Sequence, residues 1–234
     1  MELDTTFLIV DSAPPQFVPE ELQVADIQDY SYVAGPGLRC VIWLAGCNRR
    51  CPGCFQPQYF SFSAGRRYQV DEIADHILGI SNIDGVTFSG GEPFEQSEAL
   101  ASVCRILKAR SDLSLLSYTG YRLEWLRDRS QNHRNFLETL DIIIDGEYRE
   151  NEAGSYLWRG SRNQRVIYLK SGENKQLIAA TETGQQQIQV TLTSSNLVVT
   201  GFPDGPSAFA FRSALMRRGV ILASSKEGTA NEGR

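Results

Sequence analysis

The 234-residue chain has only two histidines, His76 and His133, and its five cysteines are an odd number. So few histidines leave little for a mixed Cys/His metal centre. Three of the cysteines crowd into eight residues, which excludes the disulfide framework of a small secreted domain. No apolar run approaches the ~18 residues of a membrane-spanning helix. Met1-Glu2-Leu3-Asp4 has neither the basic start nor the long apolar stretch of a secretory signal. There is no excess of positive charge either: the formal net charge is −5, which argues against a general binder of nucleic acid or of membrane surfaces. The expected location is the reducing cytoplasm. Internal repeats and low-complexity blocks are missing as well. What remains is an ordinary globular composition, 41% hydrophobic and 22% charged, of a length suited to one domain with an appendage.

The crowded cysteines read Cys47-Asn48-Arg49-Arg50-Cys51-Pro52-Gly53-Cys54, a C-x3-C-x2-C spacing with no fourth cysteine or histidine nearby. A closed metal site uses four protein ligands, whereas three leave one coordination position open for chemistry. Structural zinc would need a distant fourth ligand from Cys40, Cys104, His76 or His133. Cys104 falls on the apolar face of a predicted helix, His76 on a polar helix face, His133 in a polar stretch, and Cys40 at a strand start with no assigned role. The alternative is a 4Fe–4S cluster with three thiolate-bound irons and one open iron, which can bind a ligand bearing an amine and a carboxylate. The methionine part of S-adenosylmethionine is such a ligand.

The pattern along the chain is α/β. Residues 23–34 are expected to form strands before a turn at Gly35-Pro36-Gly37, and Arg39 to Ala45 reads as a buried strand running into the cysteine loop. A helix is predicted at 70–80, with Asp71 and Glu72 in its first turn. Strand 85–89, helix 95–110, strand 113–118, a helix around Leu123 and Leu126, strand 140–144 and strand 165–169 follow. This alternation implies βα units and a mostly parallel sheet, whose ligand lies at the carboxyl ends of the strands. The cysteine loop, Gly90-Gly91-Glu92, Thr119-Gly120 and Asp145-Gly146 all follow predicted strands and should gather at one edge. Residues 1–23 read as an N-terminal arm, 24–170 as the core, 171–223 as a C-terminal extension with a hairpin and a helix at 206–218, and 224–234 as a flexible tail.

Ser89-Gly90-Gly91-Glu92-Pro93 closes an apolar strand. Gly-Gly after a strand is a common turn. As a site, its glycines allow close backbone approach to a ligand, and its carbonyls with Glu92 can accept from an amino group.

With the two motifs in this order, the sequence resembles the radical S-adenosylmethionine superfamily, and within it the activating enzymes of anaerobic (class III) ribonucleoside-triphosphate reductase. The resemblance spans about residues 24–170. It rests on Gly35 to Cys40, Cys47 to Phe55, Ser89 to Pro93, Tyr118-Thr119-Gly120-Tyr121, Asp145-Gly146 and Trp158 to Arg165 (WRGSRNQR). It implies that Cys47, Cys51 and Cys54 hold the cluster and that Gly90, Gly91, Glu92 and Pro93 hold the methionyl amino group. Gly53 and Phe55 would lie near the adenine; many members carry an aromatic just before the third cysteine, where this chain has Gly53. Thr119 joins the cofactor-binding set. Asp145 reads as a ribose or cation ligand, or as a turn-forming Asp-Gly. Asn163, Gln164 and Arg165 are read at the same mouth, the alternative for Arg159 and Arg165 being solvated surface charge. Trp158 is read as packing or function, and Cys104 as a core residue.

The implied fold is a partial, open (β/α) barrel with a small C-terminal hairpin and helix. The implied activity is reductive cleavage of S-adenosylmethionine to a 5′-deoxyadenosyl radical, which makes a glycyl radical on a partner enzyme, with a flavodoxin- or ferredoxin-type electron donor. Two rivals remain: radical chemistry on a peptide or small molecule, to which the N-terminal arm and C-terminal extension would contribute, and a non-catalytic zinc or iron–sulfur module.

Overall fold

The computed structural model describes residues 20–170, 188–192, 197–201, 213–214 and 216–217. In chain order the elements are β1 (Glu21–Ser31), β2 (Arg39–Leu44), β3 (Arg66–Gln69), α1 (Val70–Gly79), β4 (Gly85–Gly90), α2 (Ser97–Arg110), β5 (Ser114–Thr119), α3 (Leu123–Arg129) and α4 (Gln131–Thr139). They continue as β6 (Ile142–Asp145), β7 (Ala153–Tyr156), β8 (Arg159–Ser161), β9 (Arg165–Tyr168), β10 (Ile188–Leu192) and β11 (Leu197–Gly201). The N-terminal arm up to residue 19, most of the helix expected at 206–218, and the tail lie outside the described residues. No helix among the described residues is long and apolar enough to cross a membrane.

Seven strands form one mixed sheet in the order β3-β1-β2-β4-β5-β6-β9. The four central strands, β2, β4, β5 and β6, are parallel, and β1, β3 and β9 pair antiparallel at its flanks. The parallel strands are buried almost throughout, as continuous apolar runs such as RCVIWL and IIID require. Alternation divides the sheet into two faces. Cys40, Ile42, Leu44, Val86, Phe88, Leu115 and Ile143 join the helices in the main core, with Ile73 and Ile77 of α1, Leu100 and Leu107 of α2, and Phe136 of α4. The other face carries a smaller cluster of Leu116, Ile142, Ile144 and Trp158. Cys40 and Cys104 belong to the main core, and burial pushes each thiol up to about 12.

Local chemistry explains the element ends. α1 starts at a capping box in which the Gln69 amide donates to Glu72 at 2.8 Å. α4, which sequence patterning reads only as a polar stretch, starts where Ser130 accepts from the His133 amide. It buries only Phe136 and Leu137, too thin an apolar stripe to stand out from QNHRN. The WRGSRNQR segment forms the turn and second strand of the β7–β8 hairpin and leads into β9 at Arg165, with Trp158 at φ 59 packed against Leu116, Ile142 and Ile144.

The N-terminal end of the parallel strands is tied by Arg39, a fully buried guanidinium. It donates to Thr87 Oγ1 at 2.7 Å, Val86 O at 2.6 Å, Pro36 O at 3.0 Å, and both Ser114 O and Ser114 Oγ at 2.8 Å. One side chain thus joins β2, β4 and β5. Removing it strands several buried acceptors and opens a cavity. Arg39→Ala is expected to cost about 4 kcal/mol, read as a lower urea midpoint; an unchanged midpoint would contradict this role.

Candidate active site

The parallel register sets Leu44 beside Gly90, so the loops that leave β2 and β4 start together. They are then bonded to each other. Gly91 N donates to Leu44 O at 2.7 Å, and Glu92 N donates to Gly46 O at 2.8 Å. The approach is too close for side chains: a Cβ on Gly91 would lie 2.3 Å from Gly46 O, and one on Gly90 (φ 99) 2.5 Å from the Leu44 backbone. The cysteine loop is fixed on its far side by Gly46 N to Tyr59 O at 2.9 Å and Cys47 N to Phe60 O at 3.1 Å.

Glu92 carries this junction to β5. Its buried carboxylate accepts from Thr119 Oγ1 at 2.9 Å, Gly120 N at 2.8 Å and Phe94 N at 3.1 Å, the last capping the 3-10 turn Pro93–Gln96. Across the mouth, Gln164 donates to Gly146 O at 3.0 Å, and its Oε1 accepts from the amides of Gly160 and Ser161.

A single cavity on the face opposite the helices receives these loops. Cys47, Cys51, Cys54, Phe55, Gly90, Gly91, Glu92 and Thr119 line it, with Gly146 and Gln164. The other expected positions lie elsewhere. Gly53 is left-handed (φ 71) and faces Glu150. Pro93 is buried in the 3-10 turn. Asp145 is fully buried; its carboxylate accepts from Leu123 N at 2.8 Å and pairs with Arg165 and with Arg122 at 3.4 Å, tying β6 to α3 and β9. Arg165 also reaches Glu124 at 2.9 Å, and these carboxylates hold its guanidinium well above the ordinary arginine value. Asn163 donates to Glu147 O at 2.8 Å and lines a neighbouring groove with Tyr121 and Trp125.

Beyond the expected set, four lining residues bear on the site. Arg49, between two of the cysteines, reaches the cavity, pairs with Glu147 at 2.7 Å, and stacks 4.8 Å from the Tyr121 ring. Tyr148 lines the cavity and meets Phe55 edge-on at 5.0 Å. Thr200 and Gly201 of β11 also line it. An Arg inside a ligand loop is a readable signal; the other positions depend on tertiary contacts.

All five cysteines are free. Burial pushes the Cys47 thiol up to about 11, against the Arg50 and Arg49 amides, which favour its thiolate; burial also raises Cys54. Metal binding at these sulfurs must therefore release protons. Among the described residues, no three Cys, His, Asp or Glu side chains are arranged to hold a single metal ion. A tetrahedral zinc needs its sulfurs about 2.3 Å from one point. A cubane takes each thiolate at a different iron, and all three cysteines line one cavity. The donor set and the glycine cradle fit a 4Fe–4S cluster.

Comparison with known proteins agrees with this geometry. A family model described as a 4Fe-4S single cluster domain matches residues 33–167, more than half of the chain. The anaerobic ribonucleoside-triphosphate reductase-activating protein of Enterobacteria phage T4 is 34% identical over 141 residues, covering 58% of this chain and 86% of the relative. The chain belongs to this family of iron–sulfur activating proteins. The protein of the same name from Vibrio cholerae is 34% identical over 56% of this chain and 88% of its own length, and that from Haemophilus influenzae 33% over 59% and 92%. Most of each relative's length is thus matched by little more than half of this chain, and the β10–β11 hairpin lies beyond the matched family region.

Burial lifts the Glu92 carboxyl to about 7, against the three hydrogen bonds that favour its charged form. A carboxyl raised above its ordinary 4.5 binds more protons in the folded state than in the unfolded one between these two values. Its contribution is fullest at acid pH and is lost as pH rises through 7. From about pH 4 to about pH 8, the wild-type protein should lose roughly 3 kcal/mol of stability relative to Glu92→Gln. Denaturant titrations of both apoproteins across that range measure it; a pH-independent difference would contradict the assignment.

Proposed function

We propose that Cys47, Cys51 and Cys54 hold a 4Fe–4S cluster, that S-adenosylmethionine binds at its open iron, and that the chain is a radical oxidoreductase of the glycyl-radical-activating type. Its partner in this reading is a class III ribonucleotide reductase; the relatives' names call them activating proteins of anaerobic ribonucleoside-triphosphate reductase. The electron donor would be of flavodoxin or ferredoxin type, and the setting the reducing cytoplasm. In fold terms the reading corresponds to a partial, open (β/α) barrel. The observation that carries it is one cavity, at the carboxyl ends of parallel strands, lined by all three cysteines and by Gly90, Gly91 and Glu92.

When bound, the cluster supplies the electron that cleaves the sulfonium bond of S-adenosylmethionine, giving methionine and a 5′-deoxyadenosyl radical. The chain's own groups bind, orient and exclude water. Gly90 and Gly91 bring backbone close to the methionyl end. Glu92 is already held by three donors, so its part is to fix the Gly90–Gly91 backbone against β5 as well as to face the amino group. Phe55 and Tyr148 offer an apolar wall suited to an adenine ring. Trp43, Val41 and Tyr118 keep the sheet side of the cavity dry. No acid–base triad is required.

A second reading, radical chemistry on a peptide or small molecule, is favoured by one feature: residues of the C-terminal hairpin line the cavity. A non-catalytic module is the reading of another class. All three separate in one experiment. Anaerobic reconstitution with iron and sulfide, then reductant and S-adenosylmethionine, should yield 5′-deoxyadenosine, and Cys51→Ala should not. Adding a class III reductase should give the EPR signal of a glycyl radical. A fully loaded cluster that yields no 5′-deoxyadenosine would sink the radical reading. Cleavage without a glycyl radical would point to the second.

A further inference from the structure

Among the described residues, the Gln189 side chain ties the β10–β11 hairpin to the core. Gln189 Oε1 accepts from Tyr32 N at 2.8 Å, and Gln189 Nε2 donates to Tyr30 O at 2.9 Å, both at the end of β1. In the hairpin register Gln189 lies opposite Thr200, so their side chains leave the same face. Val190, on the other face, is 42% exposed. The Gln189–Thr200 face therefore turns inward, and Thr200 lines the cavity that the three cysteines share. Thr200 is only 5% exposed, and its Oγ1 is buried without a hydrogen-bond partner among the described residues. A buried, unpaired hydroxyl is unfavourable, and valine would fill the same strand position without it. A polar group of a ligand in the cavity would satisfy the hydroxyl.

We propose that Thr200 Oγ1 hydrogen-bonds the S-adenosylmethionine bound in this cavity, which makes the C-terminal hairpin part of the ligand site and Gln189 the residue that positions it. This rests on the S-adenosylmethionine reading above and extends it to a segment beyond the matched family region. The hairpin then acts as a wall of the site as well as an appendage to the core.

The test is anaerobic calorimetry of S-adenosylmethionine binding to the reconstituted wild type, Thr200→Val, Thr200→Ser and Gln189→Ala. Iron content and melting temperature are measured on the same samples. Thr200→Val should raise Kd about tenfold, the loss of one hydrogen bond to a buried group. Thr200→Ser, which keeps the hydroxyl, should stay within about twofold of wild type, and iron content should not change. Gln189→Ala, whose side chain docks the hairpin, should weaken binding in the same direction. Should Thr200→Val fold poorly, Gln189→Ala and Thr200→Ser carry the comparison. Wild-type affinity in both Thr200→Val and Gln189→Ala overturns this inference and leaves the cavity reading standing. An iron-loaded wild type that binds no S-adenosylmethionine overturns both.

Discussion

Two backbone hydrogen bonds, Gly91 N to Leu44 O and Glu92 N to Gly46 O, lock the loop after β4 onto the loop after β2. They require near-contact of main chains, which is why glycine occupies positions 90 and 91; at Gly46 (φ 91) it is the Phe62 ring that leaves no room for a side chain. Without that contact the cysteines and the Gly-Gly-Glu segment would be two separate loops. With it, they are two walls of one cavity. Glu92 extends the lock to Thr119 and Gly120, so β2, β4 and β5 meet at a single buried carboxyl.

The two ends of the parallel strands are built in opposite senses. At the amino ends, the buried Arg39 guanidinium binds backbone and hydroxyl oxygens from three segments. At the carboxyl ends, a buried carboxylate binds amides and a hydroxyl. Each is a polar knot inside apolar packing, costly if left unpaired and specific when satisfied. Between them the sheet presents one face to the helices and the other to the cavity. Hydrophobic burial covers the helix side, while the site side keeps loops, glycines and thiols.

Much of this was legible in the chain because local patterns agree with the tertiary outcome. The runs 39–45, 85–89, 113–118 and 140–144 read as strands and correspond within two residues to the parallel strands β2, β4, β5 and β6, and the chemistry-bearing residues directly follow them. What stayed hidden depends on partners far apart in sequence. Asp145 looks like a free turn carboxylate until Arg165, Arg122 and the Leu123 amide surround it. Trp158 reads equally as packing or function until the smaller cluster claims it. α4 escapes notice because polar residues dominate its face, and its start depends on the Ser130 cap. The inward face of the hairpin follows from the Gln189 docking bonds, which no periodicity encodes.

The central claim is that three cysteines leave one iron open beside Gly90-Gly91-Glu92, and that S-adenosylmethionine fills that position. The most direct measurement is the EPR spectrum of the reduced, reconstituted protein with and without S-adenosylmethionine, with hyperfine spectroscopy on ligand labelled at its amino nitrogen. The account predicts a changed cluster signal and coupling of the labelled nitrogen to the cluster. An unaltered signal at saturating ligand, with no such coupling, would contradict it.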